Sequence, residues 1–554
     1  MSAAALRDLC LLEGSTNGAL AAYLDHPQDD LRRAAAIGLL TTGAPAAEAK
    51  VSAAVASPDA AERTWAAQVL GESGRPALHP LLHPLLEDAD SAVRRAALVA
   101  ASRVRAPELW PVVALSLAER SFAGAAATAL GNGGRAAVAA LDDTFWRSRS
   151  AHARVHIVRV WGRIGGPEAV ARLEERLRFP DARVRYEVMR ALRACGYHAQ
   201  GPAAVRIEES LRFEAEDAAW KLAVRRDLGT AAELTHVGAA LEREVDGARQ
   251  RLLLLLSFIL DAHAIRRAAD SLAHENRDRR AYALEMLDVT LPAEWRTRLM
   301  PMFEELTLEQ RLARLSEIFP QETHAAGDRL KELLRQPPGR LASWTVASVL
   351  HASVGLQVEG AADALPGDVG ENTMLREAAD WARSNAPRGH DGAAARRRGR
   401  PAMLTIEKVI LLKGVHMFME ASDEIVTDVA SIVEEVEVPR GEVVIEKGAP
   451  GDSMYVIVEG RVRVYDGERT IVELGPRDIF GELALLDPEP RFASVSAETD
   501  TRLLRLDREA FLELMEGNIE IVRGVLHVLC ERLRSSMMGR QAYHDRPVNP
   551  TGSS

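Results

Sequence analysis

The sequence predicts a multidomain chain: an all-α solenoid of helical repeats, then a small antiparallel β jelly roll with flanking helices. Three observations predict it. A cap-type polar residue followed by an Ala- and Leu-rich helix recurs about every 31 residues through the first part of the chain. From Val436 the pattern changes to short alternating runs closed by glycine. Between the two lies a Pro-, Gly- and Arg-containing stretch, residues 386–402, without apolar periodicity.

The repeats come first. The segments DDLRRAAAIGLL, DAAERTWAAQVLGESG, DSAVRRAALVAASRV, SFAGAAATALGNGG, SAHARVHIVRVWGRIGG and DARVRYEVMRALRACG align on Arg32, Arg63, Arg94, Gly124, Arg154 and Arg185, with steps of 31, 31, 30, 30 and 31. Three positions beyond each stands a small or aliphatic residue, from Ala35, Ala66 and Ala97 to Ala127, Ile157 and Val188. A period of this length accommodates two short antiparallel helices and two turns, and the small residue admits the next pair at close range. Asp29, Asp59, Asp90 and Asp181 are expected as N-caps of the second helices; Gly71, Gly74, Gly131, Gly165 and Gly166 are expected to close them. The register weakens past residue 200 and resumes at Arg249, Arg280 and Arg311. The array is therefore extended to residue 385. The apolar run around Leu252 to Leu260 reads as a repeat helix covered on both faces, far short of the roughly 20 residues that span a bilayer. These segments resemble HEAT-like repeats of the PBS-lyase type, in which an Asp and an Arg at these positions bond along the stack. The register arginines are accordingly read as partners for nearby carboxylates rather than as a phosphate ladder.

Residues 386–402, with Arg388, Arg396, Arg397, Arg398 and Arg400, read as a flexible basic linker. Beyond it, TIEKVILLKGV and Asp423 to Glu435 read as helices. EVEVPRG, EVVIEKG, SMYVIVEG, RVRVYDG and RTIVELG then read as strands turning at Gly441, Gly448, Gly460, Gly467 and Gly475. Helices near Arg508 to Glu516 and Ile519 to Arg534 follow. The division is thus 1–385 repeats, 386–402 linker, 403–538 C-terminal domain and 539–554 disordered tail.

Within the strand region sits FGELALLDPEPRFASV, Phe480 to Val495. A short helix starting near Gly481 presents unpaired N–H groups to an anion. Arg491 supplies a guanidinium fork that matches a pair of phosphate oxygens. Glu482 accepts a hydrogen bond from a sugar hydroxyl. Together they describe a pocket for one ribose and one singly charged phosphodiester. The motif resembles the phosphate-binding cassette of cyclic-nucleotide-binding domains, met here at Phe480, Gly481, Glu482, Leu483, Ala484, Leu485, Pro490, Arg491, Ala493 and Ser494. The resemblance implies cyclic AMP or cyclic GMP as ligand, with Glu482 on the ribose 2′-hydroxyl and Arg491 on the cyclic phosphate. Backbone donors would come from near Gly481, Leu483 and Phe492. Phe492 departs from the family's usual Ala or Ser: its ring either narrows the pocket or packs outward while its N–H serves the phosphate. Ser494 stands where the family places a hydroxyl that assists a guanine, although adenine binders carry it too.

The rest of the sequence bounds the function. No P-loop, kinase signature, HExxH or GxSxG occurs, so the chain is not expected to be an enzyme. A net charge of -11 argues against nucleic acid as a partner. Cys10, Cys195 and Cys530 form no CxxC pair, and no secretory signal opens the chain; both point to a cytoplasmic protein, membrane-associated only through a partner, and no cofactor is expected. His152 and His156, one turn apart, and His79 and His83 in HPLLHP lack the further ligands of a metal site. The segment after Arg534 is shorter than the helix-turn-helix module of bacterial regulators. The stripe of Ile521, Val522, Val525, Leu526, Leu529 and Leu533 suits either a homodimer or packing over the pocket. The expected function is a cyclic-nucleotide-responsive adaptor with a protein partner on the repeats. The alternatives are a scaffold with a non-binding cassette or the regulatory part of a membrane transporter, because the domain pairing resembles the soluble region of bacterial ATP/ADP-translocase-like carriers.

Overall fold

Ala-rich helices with one small residue per turn can approach until their backbones nearly touch, and this sets the architecture of the first part of the chain. The computed structural model describes residues 2–13, 18–274, 276–366, 372–385, 402–419, 421, 423–486 and 489–515. After α1 (Ala3–Glu13), a short 3-10 turn (Gly18–Asp25) leads to α2 (Asp29–Thr41). Then α3 (Pro45–Val55) precedes α4 (Ala60–Ser73), α5 (Leu82–Leu86) precedes α6 (Ser91–Val104), and α7 (Trp110–Leu115) precedes α8 (Arg120–Gly133). The last clear pairs are α9 (Val138–Arg147) with α10 (Ala151–Ile164), and α11 (Gly166–Glu174) with α12 (Ala182–Ala194). Ala35, Ala66, Ala97, Ala127, Ile157 and Val188 are all buried between successive second helices.

The register arginines rivet each repeat to the next. Arg63 donates to Asp88 from Nε at 2.6 Å, and to the carbonyls of Ser57 and Pro58 in the preceding loop. Arg94 reaches Glu119, Arg32 reaches Glu62, and Arg185 reaches Glu214 at 2.6 Å while also holding the Phe179 and Pro180 carbonyls. Arg154 is the variant: it donates to the Phe145 carbonyl and lies over the Phe145 and Phe179 rings.

Two details of capping differ from expectation. Asp59, Asp90 and Asp181 accept backbone N–H bonds as N-caps, but α2 already begins at Asp29, whose carboxylate instead pairs with Arg32. Gly71 and Gly131 lie inside α4 and α8 rather than at their ends. A methyl group on Gly71 would stand 2.8 Å from the Cα of Ala100, so this glycine is the point where α4 and α6 touch.

Two longer helices follow, α13 (Pro202–Leu228) and α14 (Thr235–Leu256), and then α15 (Ala262–Leu272), α16 (Arg277–Thr290), α17 (Ala293–Phe303), α18 (Leu308–Ser316), α19 (Ala326–Leu334), α20 (Ser343–Gly355) and α21 (Thr373–Asn385). Leu252, Leu255, Leu256 and Phe258 are buried, as the apolar run requires. Arg280 repeats the rivet, bonding Glu305 and the His274 carbonyl. Arg311 bonds only carbonyls, those of Pro301 and Glu304. Burial here extends to charge: Glu214 accepts from both Arg185 and Arg251, and Lys221 sits between Asp217 at 2.8 Å and Glu244 at 2.7 Å. Among the described residues no helix is long and apolar enough to cross a membrane.

The chain divides into two compact units. One comprises Met1–Arg226, Glu242–Thr323 and Pro337–Leu341; the other comprises Asp227–Leu241, His324–Gln336 and Ala342–Ser554. In the second unit, Glu377 on α21 accepts the Thr405 N–H at the start of α22 (Thr405–Lys413), and His351 on α20 stacks on Trp381. Helix α23 (Asp423–Ile432) stops short of the expected Glu435 because the chain turns into β1 (Glu434–Val438). The expected runs become β2 (Val443–Ile445), β3 (Ser453–Glu459), β4 (Val462–Asp466) and β5 (Arg469–Leu474). Then come β6 (Ile479–Phe480), the one-turn α24 (Leu483–Leu486), β7 (Ser494–Ala497), β8 (Thr501–Asp507) and α25 (Arg508–Met515). Two antiparallel sheets result, ordered β1-β8-β3-β6 and β2-β7-β4-β5. Their inner faces meet in a core of Val438, Ile445, Ile457, Phe480, Val495 and Leu503, among others. Gly441, Gly448, Gly460 and Gly467 turn with positive φ; Gly475 does not. The linker arginines, Cys530 and the stripe from Ile521 to Leu533 lie outside the described residues.

Candidate functional site

Three pieces of chain converge at one end of the two sheets: the start of β3, the β6–α24 junction and the approach to β7. Antiparallel pairing sets the first two against each other, with Tyr455 opposite Phe480 and their rings stacked at 5.1 Å. Directly after Phe480 the chain turns at Gly481 with φ +79°, a conformation that a side chain strains. That turn starts α24, where Leu483 is exposed and Ala484 and Leu485 are buried. The helix is a single turn beginning at Leu483, and its Ala484 and Leu485 amides donate to the Gly481 and Glu482 carbonyls at 3.2 Å. The expected bank of open N–H groups is therefore smaller than the sequence suggests, and its dipole is correspondingly short.

Arg491 is pinned from its backbone outward. Its N–H donates to Ala449 at 2.9 Å and its carbonyl accepts from Gly448 at 2.8 Å, prolonging the pairing of β2 with β7. The guanidinium then crosses the site, donating from Nη2 to the Ser453 carbonyl at 2.7 Å and from Nη1 to the Gly481 carbonyl at 3.2 Å. It passes so close to Gly451 that a Cβ there would meet its Nε at 2.8 Å. No carboxylate among the described residues forms an ion pair with it. Burial pushes the guanidinium below its ordinary pKa, and the negative charges of Asp452 and Glu482 oppose that shift. A half-buried cation held by neutral carbonyls is a socket for an anion.

The other expected residues fall around this cation. Glu482 is buried, with 4% of its surface exposed, and its charge is felt by Arg491. Phe492 has 69% of its surface exposed, so its ring stands outward instead of filling the space between the sheets. Ala493 is half-buried beside it. The Ser494 hydroxyl oxygen accepts the Lys447 N–H at 3.0 Å, which leaves its hydrogen and one lone pair for another partner. Gly451, Ser453 and Tyr455 were not among the expected site residues. Two glycines three positions apart ahead of a strand, Gly448 and Gly451, were the available signal, and only the first was read as a turn. Away from this site, the His152 and His156 rings lie 4.5 Å apart and His79 approaches Glu108 at 3.9 Å. Among the described residues no group of three or more His, Cys, Asp or Glu side chains is placed to hold a metal ion.

Comparison with known proteins agrees with this organisation. Residues 435–518 match the family described as cyclic nucleotide-binding domain, and residues 16–102 and 48–131 match HEAT repeats. A CRP-like cAMP-activated global transcriptional regulator of Mycobacterium tuberculosis is 33% identical over 134 residues, 23% of this chain and 59% of that protein. A cAMP-dependent protein kinase regulatory subunit of Aspergillus fumigatus is 37% identical over 135 residues, 24% of this chain and 31% of that protein. The chain thus spans less than two thirds of these relatives. Among solved structures, the N-terminal domain of a transcriptional regulator from Streptomyces coelicolor shares 30% identity, covering 23% of this chain and 94% of that one, with a TM-score of 0.21. The chain is a multidomain protein: a mostly helical N-terminal region with HEAT repeats, then a C-terminal β-sheet cyclic nucleotide-binding domain with flanking helices.

Proposed function

We propose that this protein is a cyclic-nucleotide-responsive adaptor, which binds cyclic AMP or cyclic GMP in its C-terminal domain and a protein partner on its repeats. Arg491 carries the reading: a half-buried guanidinium with carbonyl partners and no ion-paired carboxylate among the described residues. In the proposed complex the cyclic phosphate supplies that charge, buried Glu482 takes a ribose hydroxyl, and Phe480, Gly481, Leu483 and Ala484 shape the turn. The backbone of Phe492 and Ala493 closes the phosphate side, and Ser494 lies beside the base. The names of the relatives, a cAMP-activated regulator and a cAMP-dependent kinase regulatory subunit, favour cyclic AMP.

A ligand changes output only when it binds two states of the protein unequally. We place the output on the repeat region, which has the extended surface such arrays use for macromolecular partners. A membrane transporter is the first partner to test, on the resemblance to translocase-like carriers. Calorimetric titration with cyclic AMP and cyclic GMP tests the core of the proposal. Wild type should bind and Arg491→Ala should bind about 30-fold or more weakly, the consequence of losing roughly 2 kcal/mol or more of charge-assisted bonding. Absence of binding to wild type at millimolar nucleotide refutes it.

A further inference from the structure

Most register arginines are committed to cross-repeat bonds; a second set of arginines on the same helices is committed only in part, with Arg33 bonding Gln68 and Asp30. One position beyond the register stand Arg33 and Arg95, five beyond stand Arg159 and Arg190, and eight or nine beyond stand Arg103, Arg163 and Arg193. Equal register means one shared face of α2, α6, α10 and α12. Arg95 and Arg193 are exposed and make no side-chain hydrogen bond or ion pair among the described residues. Arg163 donates only to the Ala127 carbonyl, and Arg159 and Arg190 share the single carboxylate of Glu187. Arg103 pairs with Glu72. Helix α8 contributes Ala125, Thr128 and Asn132 at the intervening step, small and uncharged. A chain of net charge -11 therefore presents one face with arginine in excess.

That face is not merely charged. Between Arg33, Arg95 and Arg103 runs a groove of about 350 Å³ floored by Ala92, Ala96 and the exposed Val99. A nucleic-acid backbone brings a charged phosphate at every unit, whereas a polypeptide can place a small apolar side chain there every few residues. The spacing also suits a polypeptide: neighbouring helices pack about 8–10 Å apart, and an extended chain rises about 3.3 Å per residue. Three residues thus match one repeat.

Resting on the reading of the repeats as a protein-binding array, we infer that the face formed by α2, α4, α6, α8, α10 and α12 binds an extended acidic segment of a partner protein. The segment carries a carboxylate at about every third position, with small apolar residues between. About 15 residues span the six helices.

The test uses the full chain and fluorescence anisotropy with a labelled Asp-Gly-Val repeat peptide of about 15 residues. Comparisons are a peptide of the same composition with its aspartates in one block, a Lys-Gly-Val repeat, and single- and double-stranded DNA of similar length. Wild type should prefer the Asp-Gly-Val repeat, with an affinity that falls as salt rises. The double variant Arg95→Glu, Arg193→Glu alters two unpaired side chains and should weaken binding by about tenfold or more. Arg147→Glu changes an exposed arginine of α9, outside this face, and should leave binding within about twofold. Equal binding of the block or Lys-containing peptide, no effect of the double variant, or tighter binding of DNA that is lost in the same variant would each overturn the proposal. Cyclic-nucleotide titration of the same preparations reports on the C-terminal domain separately, so failure of one proposal is distinguishable from failure of the other.

Discussion

Gly451→Ala adds one methyl group where the Arg491 guanidinium crosses the backbone. The new Cβ would lie 2.8 Å from Nε of Arg491 and 2.9 Å from Cβ of Ala484, both well inside normal contact. Gly451 does not have the positive φ of Gly481, so the substitution brings no backbone strain and even restricts the unfolded chain, worth about 0.4–1 kcal/mol in favour of folding. Against this stands overpacking of about 1–3 kcal/mol. Ala484 is buried and cannot yield easily, so the guanidinium must move and weaken its bonds to Ser453 and Gly481. Stability should fall by about 1 kcal/mol, while cyclic-nucleotide affinity falls about 10- to 100-fold, because the anion socket is displaced while the fold is kept. Thermal denaturation and calorimetric titration measure the two effects on one sample. Affinity within about twofold of wild type would show that Arg491, in the position described here, does not hold the ligand.

Two further predictions concern the repeats. Glu214→Ala leaves the buried Arg185 and Arg251 without their shared carboxylate and should destabilise the helical unit by about 3–5 kcal/mol, read as a drop in the urea midpoint followed by helical circular dichroism. An unchanged midpoint would mean that water or another acid replaces Glu214. The second prediction concerns acid. Desolvation, aided by His152 and Arg159, pushes His156 down to about 4 from an ordinary 6.5. Between those values the unfolded chain binds a proton that the folded chain refuses, so stability is full above about pH 6.5 and declines as pH falls towards 4. The shift corresponds to about 3 kcal/mol at most, reduced by partial exposure to about 1–2 kcal/mol. His156→Gln should lose less stability than wild type between pH 7 and 5; an equal loss in both proteins would contradict the assigned burial.

Periodic features were the readable ones. Arginine at steps of 30 or 31 gave the repeat length, and the bonds of Arg63, Arg94 and Arg280 show why the spacing holds: each reaches an acid 25 positions ahead. Pairings without a period left no trace in the sequence. Arg340 bonds Asp217 across 123 positions and covers Trp220, and no local pattern announces it. In the cassette, Glu482 and Arg491 were legible because charge in an otherwise apolar motif requires a reason. Ser453 was not, since it contributes a carbonyl that any residue possesses. Asp29 misled because it stands three positions before its arginine, whereas the capping Asp59, Asp90 and Asp181 stand four before theirs, so Gln28 takes the cap position and Asp29 begins the helix.

The arginine rivets also bear on how such a chain changes over generations. Arg32, Arg63, Arg94 and Arg185 each tie their own repeat to the one that follows, so a deletion of a few residues between such an arginine and its acid would break that rivet. Excision or duplication of a whole repeat preserves the phase at both new junctions. Length in this part of the molecule is therefore quantised, and variants that grow or shrink it should do so in steps of about one repeat.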